Sequence, residues 1–189
     1  MTGDAAADEL LNTDGLALLI GMLLDQQVPM EWAFLGPTTL RTRLGHLDAS
    51  RIAAMSQDEV VAVCCDKPAI HRFPAAMGRR IHDLCRTLVD EHGGMGDAVW
   101  TGARSGADLY ARLRVLPGYG DEKARILIAI LGKRMGVRPR GWKEAAGVFA
   151  DPTPRSVADI RDAATLAKVR AWKQAAKAAK RDKQDRPLA

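Results

Sequence analysis

The sequence predicts an all-α protein, and three observations carry that expectation. Aromatic residues make up only 5% of the 189 residues, while Ala, Leu, Arg and Met are plentiful, a composition that favours helices over sheets by intrinsic propensity. Apolar residues recur at helical spacing, and Asp, Ser, Gly and Pro stand where helices start and stop. The 47% hydrophobic and 27% charged content belongs to a folded globular chain.

The elements follow in order. Residues 1–12 are polar and Ala-rich, and the first helix is expected from Thr13 or Asp14, either of which can cap it. Its run GLALLIGMLL is apolar all round, as in a buried central helix, and it closes at DQQVP, with Pro29 as the stop. Short helices are expected over MEWAFLG, PTTLRTRLG, DASRIAAM and SQDEVVAVCC, which suggests a compact bundle. From Ala75 to His92, Met77, Ile81, Leu84, Cys85 and Leu88 form one stripe and Arg79, Arg80, Asp83, Arg86 and Asp90 the opposite one, with Gly93 and Gly94 as terminators. GADLYARLRV and DEKARILIAILGKRMG are two further helices, separated only by LPGYG. After Gly136 the chain reads as irregular or briefly helical. Ser156 and Asp159 then offer a cap, and Leu166, Val169, Trp172, Ala176 and Ala179 mark the inner stripe of a last helix.

The formal net charge of +5 is concentrated: residues 168–186 carry eight Lys/Arg against two Asp, a net +6. A basic tail on a near-neutral body suits a polyanionic partner such as nucleic acid. Cys64, Cys65 and Cys85 have neither disulfide-framework nor metal spacing, so a reduced, cytoplasmic protein is expected. The longest apolar run is about half of a membrane span and carries no signal-peptide flanks. His46, His71, His82 and His92 share no ligand spacing, so no metal site is expected.

The stretch LPGYG followed by a helix raises the first functional question. A helix N-terminus carries about half a positive charge and several unpaired N–H groups, so a Gly-x-Gly turn can bring backbone donors against a phosphate. A tight helix-to-helix turn needing positive φ calls for glycine equally well. LPGYG with the following KA and hydrophobic helix resembles the hairpin of the helix-hairpin-helix (HhH-GPD) base-excision DNA glycosylases, the endonuclease III-like superfamily. LLIGMLLDQQVP and HRFPAAMGRRIHDLCRTLVDEHGG are similar to the family's early helix and to its segment before the hairpin. The three stretches, in family order, span about residues 14 to 136.

The resemblance implies a two-lobed helical HhH-GPD fold with a DNA groove between the lobes. Residues 1–136 would form a bundle containing the hairpin helices (about 106–135), and residues 137–189 would complete the second lobe. It implies that Gly118, Tyr119 and Gly120 hold a phosphate of damaged double-stranded DNA through backbone N–H groups, with Lys123 beside them and room for a monovalent cation on the hairpin carbonyls. It implies that Gln27, paired with Gln26, fills the gap left by an extruded base. A polar pair closing a helix C-terminus is the alternative for these glutamines. The expected protein is a cytoplasmic monomer, associated with a bacterial nucleoid when on DNA.

The family's chemistry uses a carboxylate after the hairpin helices to stabilise the oxocarbenium-like sugar and orient water. Here no acidic residue lies between Glu122 and Glu144. The substitutes are Glu144 first, then Asp151 and Asp25, each equally readable as an ordinary surface, turn or capping residue. The family's strand-cleaving members place a lysine where Glu122 stands, and Lys123 is rotated by about 100° from it, so lyase chemistry is not expected. No cysteine follows Cys85, so the iron–sulfur loop of part of the family is absent. Trp142 is a candidate to stack on an extruded base, or a core residue like most lone tryptophans. Lys173, Lys177 and Lys180 are expected to share a DNA-facing side of the last helix opposite Val169, Trp172 and Ala176. A solvated cationic helix is the alternative.

Overall fold

The computed structural model describes residues 2–187 and is helical throughout, with no strand among the described residues beyond one isolated bridge between Arg181 and Pro187. It divides into two compact units. The first comprises residues 2–102 with 115–119, the second residues 103–114 with 120–187. The expected division near 136 thus differs from the observed one, because the helices Gly106–Arg114 and Asp121–Arg134 pack with the C-terminal segment.

In the first unit the helices are α1 (Ala5–Thr13), α2 (Gly15–Leu24), α3 (Met30–Leu44), α4 (Ala49–Ala54), α5 (Gln57–Cys65), α6 (Pro74–His92) and α7 (Ala98–Thr101). Helix α1 was not expected. Asp4 caps it by accepting the Ala7 N–H, and it buries Ala7, Leu10 and Leu11, so its three inward residues outweigh a polar composition. Asp14 caps α2 through Ala17 N–H, and every residue from Leu16 to Leu24 is buried, as the run of apolar residues requires. Helix α2 packs against α1, α3 and α6, while α4 and α5 pack on α6.

The two short helices expected over 30–44 are a single one that runs through Gly36 and Pro37. A proline inside a helix costs about 3 kcal/mol through a lost hydrogen bond and ring crowding. Helix α3 offsets this by burying Met30, Ala33 and Phe34 before the proline and Leu40 after it, each large apolar side chain contributing roughly 1.5–3 kcal/mol. The caps Asp48 and Ser56, the latter in a capping box with Glu59, start α4 and α5 where the sequence places them. The stripe on α6 is buried as expected, and the chain leaves through Gly93 and Gly94, whose N–H reaches Leu88 O.

The second unit contains α8 (Gly106–Arg114), α9 (Asp121–Arg134), α10 (Trp142–Ala146) and α11 (Ala163–Ala178), with 3-10 turns at Gly147–Ala150 and Val157–Asp159. Helix α9 is its core: Ala124 and every residue from Ile126 to Gly132 are buried. The Ser156/Asp159 pair forms a capping box, but on the 3-10 turn; α11 is capped by Asp162. Val169 is the buried anchor of α11, and Ala179 lies beyond its end, exposed. Among the described residues no helix is long and apolar enough to cross a membrane.

Candidate nucleic-acid interface

Residues 115–120 link α8 to α9. Leu116 and Tyr119 are buried, the latter 4% exposed, and the Tyr119 hydroxyl donates to Leu19 O at 2.7 Å. Burial raises the Tyr119 phenol well above its ordinary range, so it stays a neutral donor. Gly118 has φ +80°, and a Cβ there would lie 2.3 Å from Leu23 Cδ1. Both backbone and packing therefore demand glycine at 118. Gly120 differs: φ is −80°, ψ is 178°, and a Cβ would meet nothing nearer than Arg114 Nη1 at 4.0 Å. Its missing side chain leaves open the N-terminus of α9, where no side chain caps the helix.

One expectation is corrected here. The Tyr119 N–H is already donated to Leu116 O at 3.1 Å, so it is not available to a phosphate. Among the described residues the N–H groups of Gly118 and Gly120 have no backbone acceptor. Lys123 is half-buried in the first turn of α9.

The two carboxylates beside this turn are occupied. Asp121 accepts from Tyr110 Oη at 2.7 Å, Arg125 Nε at 2.7 Å and Gln184 Nε2 at 3.2 Å. The Tyr110 hydrogen bond, followed by those from Arg125 and Gln184, holds the Asp121 carboxyl below its usual range against the opposing effect of burial. Glu122 pairs with Lys183 at 2.9 Å.

In the first unit, the turn after α2 carries the glutamine pair. Gln26 is structural: its Nε2 donates to Leu23 O at 2.8 Å and contacts Met77 Sδ at 3.2 Å. Its Oε1 accepts from Arg80 Nη1 at 3.3 Å, and its backbone O bonds His71 Nε2 at 3.0 Å. Gln27 is exposed with φ +56°, a left-handed backbone unusual outside glycine, and among the described residues its amide has no hydrogen-bond partner. Asp25 is half-buried at the end of α2; its N–H closes the helix on Gly21 O, while its carboxylate has no partner among the described residues.

Sequence reasoning missed the neighbours of this turn. Trp32 (39% exposed), His71 and Phe73 (44% exposed) form a row with ring centroids 6.3 and 6.0 Å apart. The Arg72 guanidinium lies 4.7 Å from the Phe73 ring centroid, and Trp32, Lys67, His71 and Arg72 line a hollow of about 480 Å³. His71 is fixed by accepting the Phe73 N–H on Nδ1 at 3.1 Å, which leaves Nε2–H for Gln26 O. The alternation of aromatic and basic residues in HRFP was the available signal.

The remaining candidates lie in the second unit. Glu144 is exposed on α10, facing a hollow of about 400 Å³ shared with Tyr110, Arg125 and Arg140. It is not the buried carboxylate that the resemblance implies. Asp151 is bound by Arg155 Nη2 at 2.8 Å and by Thr153 N–H at 2.9 Å, and its carbonyl accepts from Lys133 at 2.6 Å, all of which shape its own loop. The Trp142 ring covers Gly132, where a Cβ would lie 2.4 Å from Cε3, so one face of the indole is spent on α9. Lys173 and Lys177 line one hollow with Trp172 and Ala176, and Lys180 lies beyond the end of α11 with φ +52°. These lysines therefore flank the inner stripe rather than opposing it, since residues 172 and 173, or 176 and 177, are only about 100° apart. No group of His, Cys, Asp and Glu able to hold a metal ion occurs among the described residues.

Comparison with protein-family models, with curated proteins and with solved structures finds no match for this chain.

Proposed function

We propose that this chain binds double-stranded DNA at damaged or distorted sites, in the manner of the HhH-GPD base-excision glycosylases that its sequence resembles. The observation that carries the reading is Gln27, an exposed residue held left-handed on a turn whose other glutamine is locked by four partners. Backbone strain at an exposed polar residue is maintained only when its surroundings enforce it, and it is concentrated at functional sites. An unengaged amide on such a turn suits the space vacated by an extruded base. Trp32, Phe73, Lys67 and Arg72 add stacking surface and positive charge beside it. The bare approach to Gly120 suits a backbone phosphate.

The chemistry in this reading is monofunctional hydrolysis of an N-glycosidic bond. Breaking that bond develops positive charge on the sugar, which a nearby carboxylate stabilises while it orients water. Asp25 now stands ahead of Glu144, being half-buried, unpaired and next to Gln27, whereas Glu144 is exposed and Asp151 is occupied. A second reading, recognition of distorted DNA without catalysis, is favoured by the absence of an acidic residue between Glu122 and Glu144. No cofactor enters either reading, and Glu122 at the position of the family's lysine argues against strand cleavage.

Base release from end-labelled duplexes carrying uracil, alkylated purines, 8-oxoguanine or mismatches, read with and without alkali, separates the two. Alkali-dependent breaks abolished by Asp25→Asn establish the hydrolase, and loss in Glu144→Gln alone returns the role to Glu144. Intact strands with salt-sensitive binding establish the non-catalytic reading. Absence of salt-sensitive binding removes both.

A further inference from the structure

The C-terminal segment is a built strap. Residues 181–187 close on themselves: Asp182 N–H donates to Arg186 O at 2.9 Å, Arg186 Nε to Asp182 Oδ2 at 2.7 Å, and Arg181 Nη1 to Asp185 Oδ1 at 3.0 Å. The flanks Arg181, Asp185, Arg186 and Pro187 are exposed, whereas the tip residues Lys183 and Gln184 are half-buried. That tip meets the first turn of α9, Lys183 Nζ on Glu122 at 2.9 Å and Gln184 Nε2 on Asp121 at 3.2 Å. Strap, α11 and Glu122 line a hollow of about 330 Å³ whose wall includes Lys173, Lys177, Arg181 and Lys183 together with the carboxylates of Glu122 and Asp182, over Trp172.

The Lys183–Glu122 pair has both side chains 36% exposed, and such pairs add little to stability. Its electrostatic consequence is larger. Without Lys183, Glu122 would present an uncompensated negative charge at the turn whose glycine leaves room for an anion, and like charge would repel a phosphate. With it, the carboxylate is neutralised, and since Asp182 is bound by Arg186 the wall of the hollow is net positive.

We infer that the strap 181–187 and α11 form a second docking surface for the nucleic-acid backbone, in which Lys183 acts as a positioning residue by neutralising Glu122. This rests on the DNA-binding reading above and names a surface beyond the hairpin and the Gln27 turn. The occupant is a phosphodiester of the duplex, chosen because the wall carries four cations against two carboxylates, Glu122 and Asp182, and the adjoining turn offers backbone N–H groups.

The test is duplex affinity of the full chain at low salt for wild type, Lys183→Gln, Glu122→Gln and the double variant, with circular dichroism melts to verify that each is folded. Lys183→Gln is expected to weaken binding about 5- to 10-fold, and Glu122→Gln to tighten it about 2- to 5-fold. In the Glu122→Gln background the loss from Lys183→Gln should shrink below about 2-fold, because the charge it offsets is gone. An equal loss in both backgrounds would make Lys183 a simple phosphate contact, and no loss in either would place the strap away from DNA; each overturns the inference while leaving the DNA reading intact. A wild-type chain that does not bind duplex at low salt overturns both. An affinity that rises in Lys183→Gln makes the strap autoinhibitory and likewise overturns the inference.

Discussion

Replacing the two glycines of the hairpin by alanine separates a structural requirement from a binding one. At Gly118 an L residue must adopt φ +80°, which costs about 1–2 kcal/mol. Its Cβ must also share space with Leu23 Cδ1 at 2.3 Å, inside a helix in which Leu23 is fully buried, adding roughly 1–3 kcal/mol of overpacking. Gly118→Ala should therefore lower stability by about 2–5 kcal/mol, the Leu23 methyl being free to yield only partly. Gly120 has φ −80° and open space out to 4.0 Å, so Gly120→Ala should leave stability unchanged or raise it by about 0.4–1 kcal/mol through the unfolded chain. The same methyl group stands where a phosphate would approach the uncapped start of α9, and duplex affinity should fall at least 5-fold. Urea unfolding and duplex titration of the two variants make the comparison. A Gly120→Ala protein that binds as tightly as wild type would refute the phosphate role of the hairpin, and a fully stable Gly118→Ala would refute the packing argument.

Gln27→Gly should gain about 1 kcal/mol in urea unfolding by relieving the left-handed backbone, while losing affinity for mismatched duplex; retention of affinity would show that the amide plays no part. Trp32→Ala and Phe73→Ala should each weaken binding to single-stranded or distorted DNA by about 1–3 kcal/mol with little change in stability, measured by anisotropy and melting. In a spectrophotometric titration neither tyrosine should ionise near pH 10 in the folded protein, Tyr110 because of its bond to Asp121 and Tyr119 because of burial. The unfolded chain releases those protons from about pH 10, so it binds fewer protons than the native state there and stability falls as pH rises past that point. Asp121→Asn should lower the Tyr110 value and leave Tyr119 unmoved. Asp159→Asn should cost about 3 kcal/mol or more in urea unfolding, since it strips Lys133 of its carboxylate partner at 2.6 Å, in a pair 15% and 8% exposed, and leaves it only the Asp151 carbonyl. Asp185→Asn, in a pair half exposed on both sides, should cost less than about 1 kcal/mol.

Much of the secondary structure was legible from local chemistry. Asp14, Asp48 and Ser56 start helices through bonds to N–H groups three residues away, and such signals are contained in the sequence itself. The stripe on α6 and the uniformly apolar α2 likewise announce which faces are buried. Local reasoning failed where a distant partner decided the outcome. Gly36-Pro37 reads as a helix break, yet α3 continues because its apolar face is buried on both sides of the proline. The polar start of the chain hides α1, which exists because Leu10 and Leu11 are buried.

The site shows the same division. The glycine hairpin and the glutamine turn were visible as patterns, but only the tertiary structure distinguishes Gly118, crowded by Leu23, from Gly120, which nothing crowds, or the locked Gln26 from the exposed Gln27. The tail's charge is a property of composition, and the sequence by itself determined that a cationic segment exists. Where that charge goes is a matter of long-range pairing: Lys183 and Glu122 are 61 residues apart, and no local rule brings them to 2.9 Å. Helix starts, periodic faces and net charge depend on neighbours within one or two turns and were readable from the sequence. Which carboxylate is neutralised, which aromatic is left exposed and which proline is tolerated depend on contacts made only when distant segments meet, and tertiary structure alone decided them.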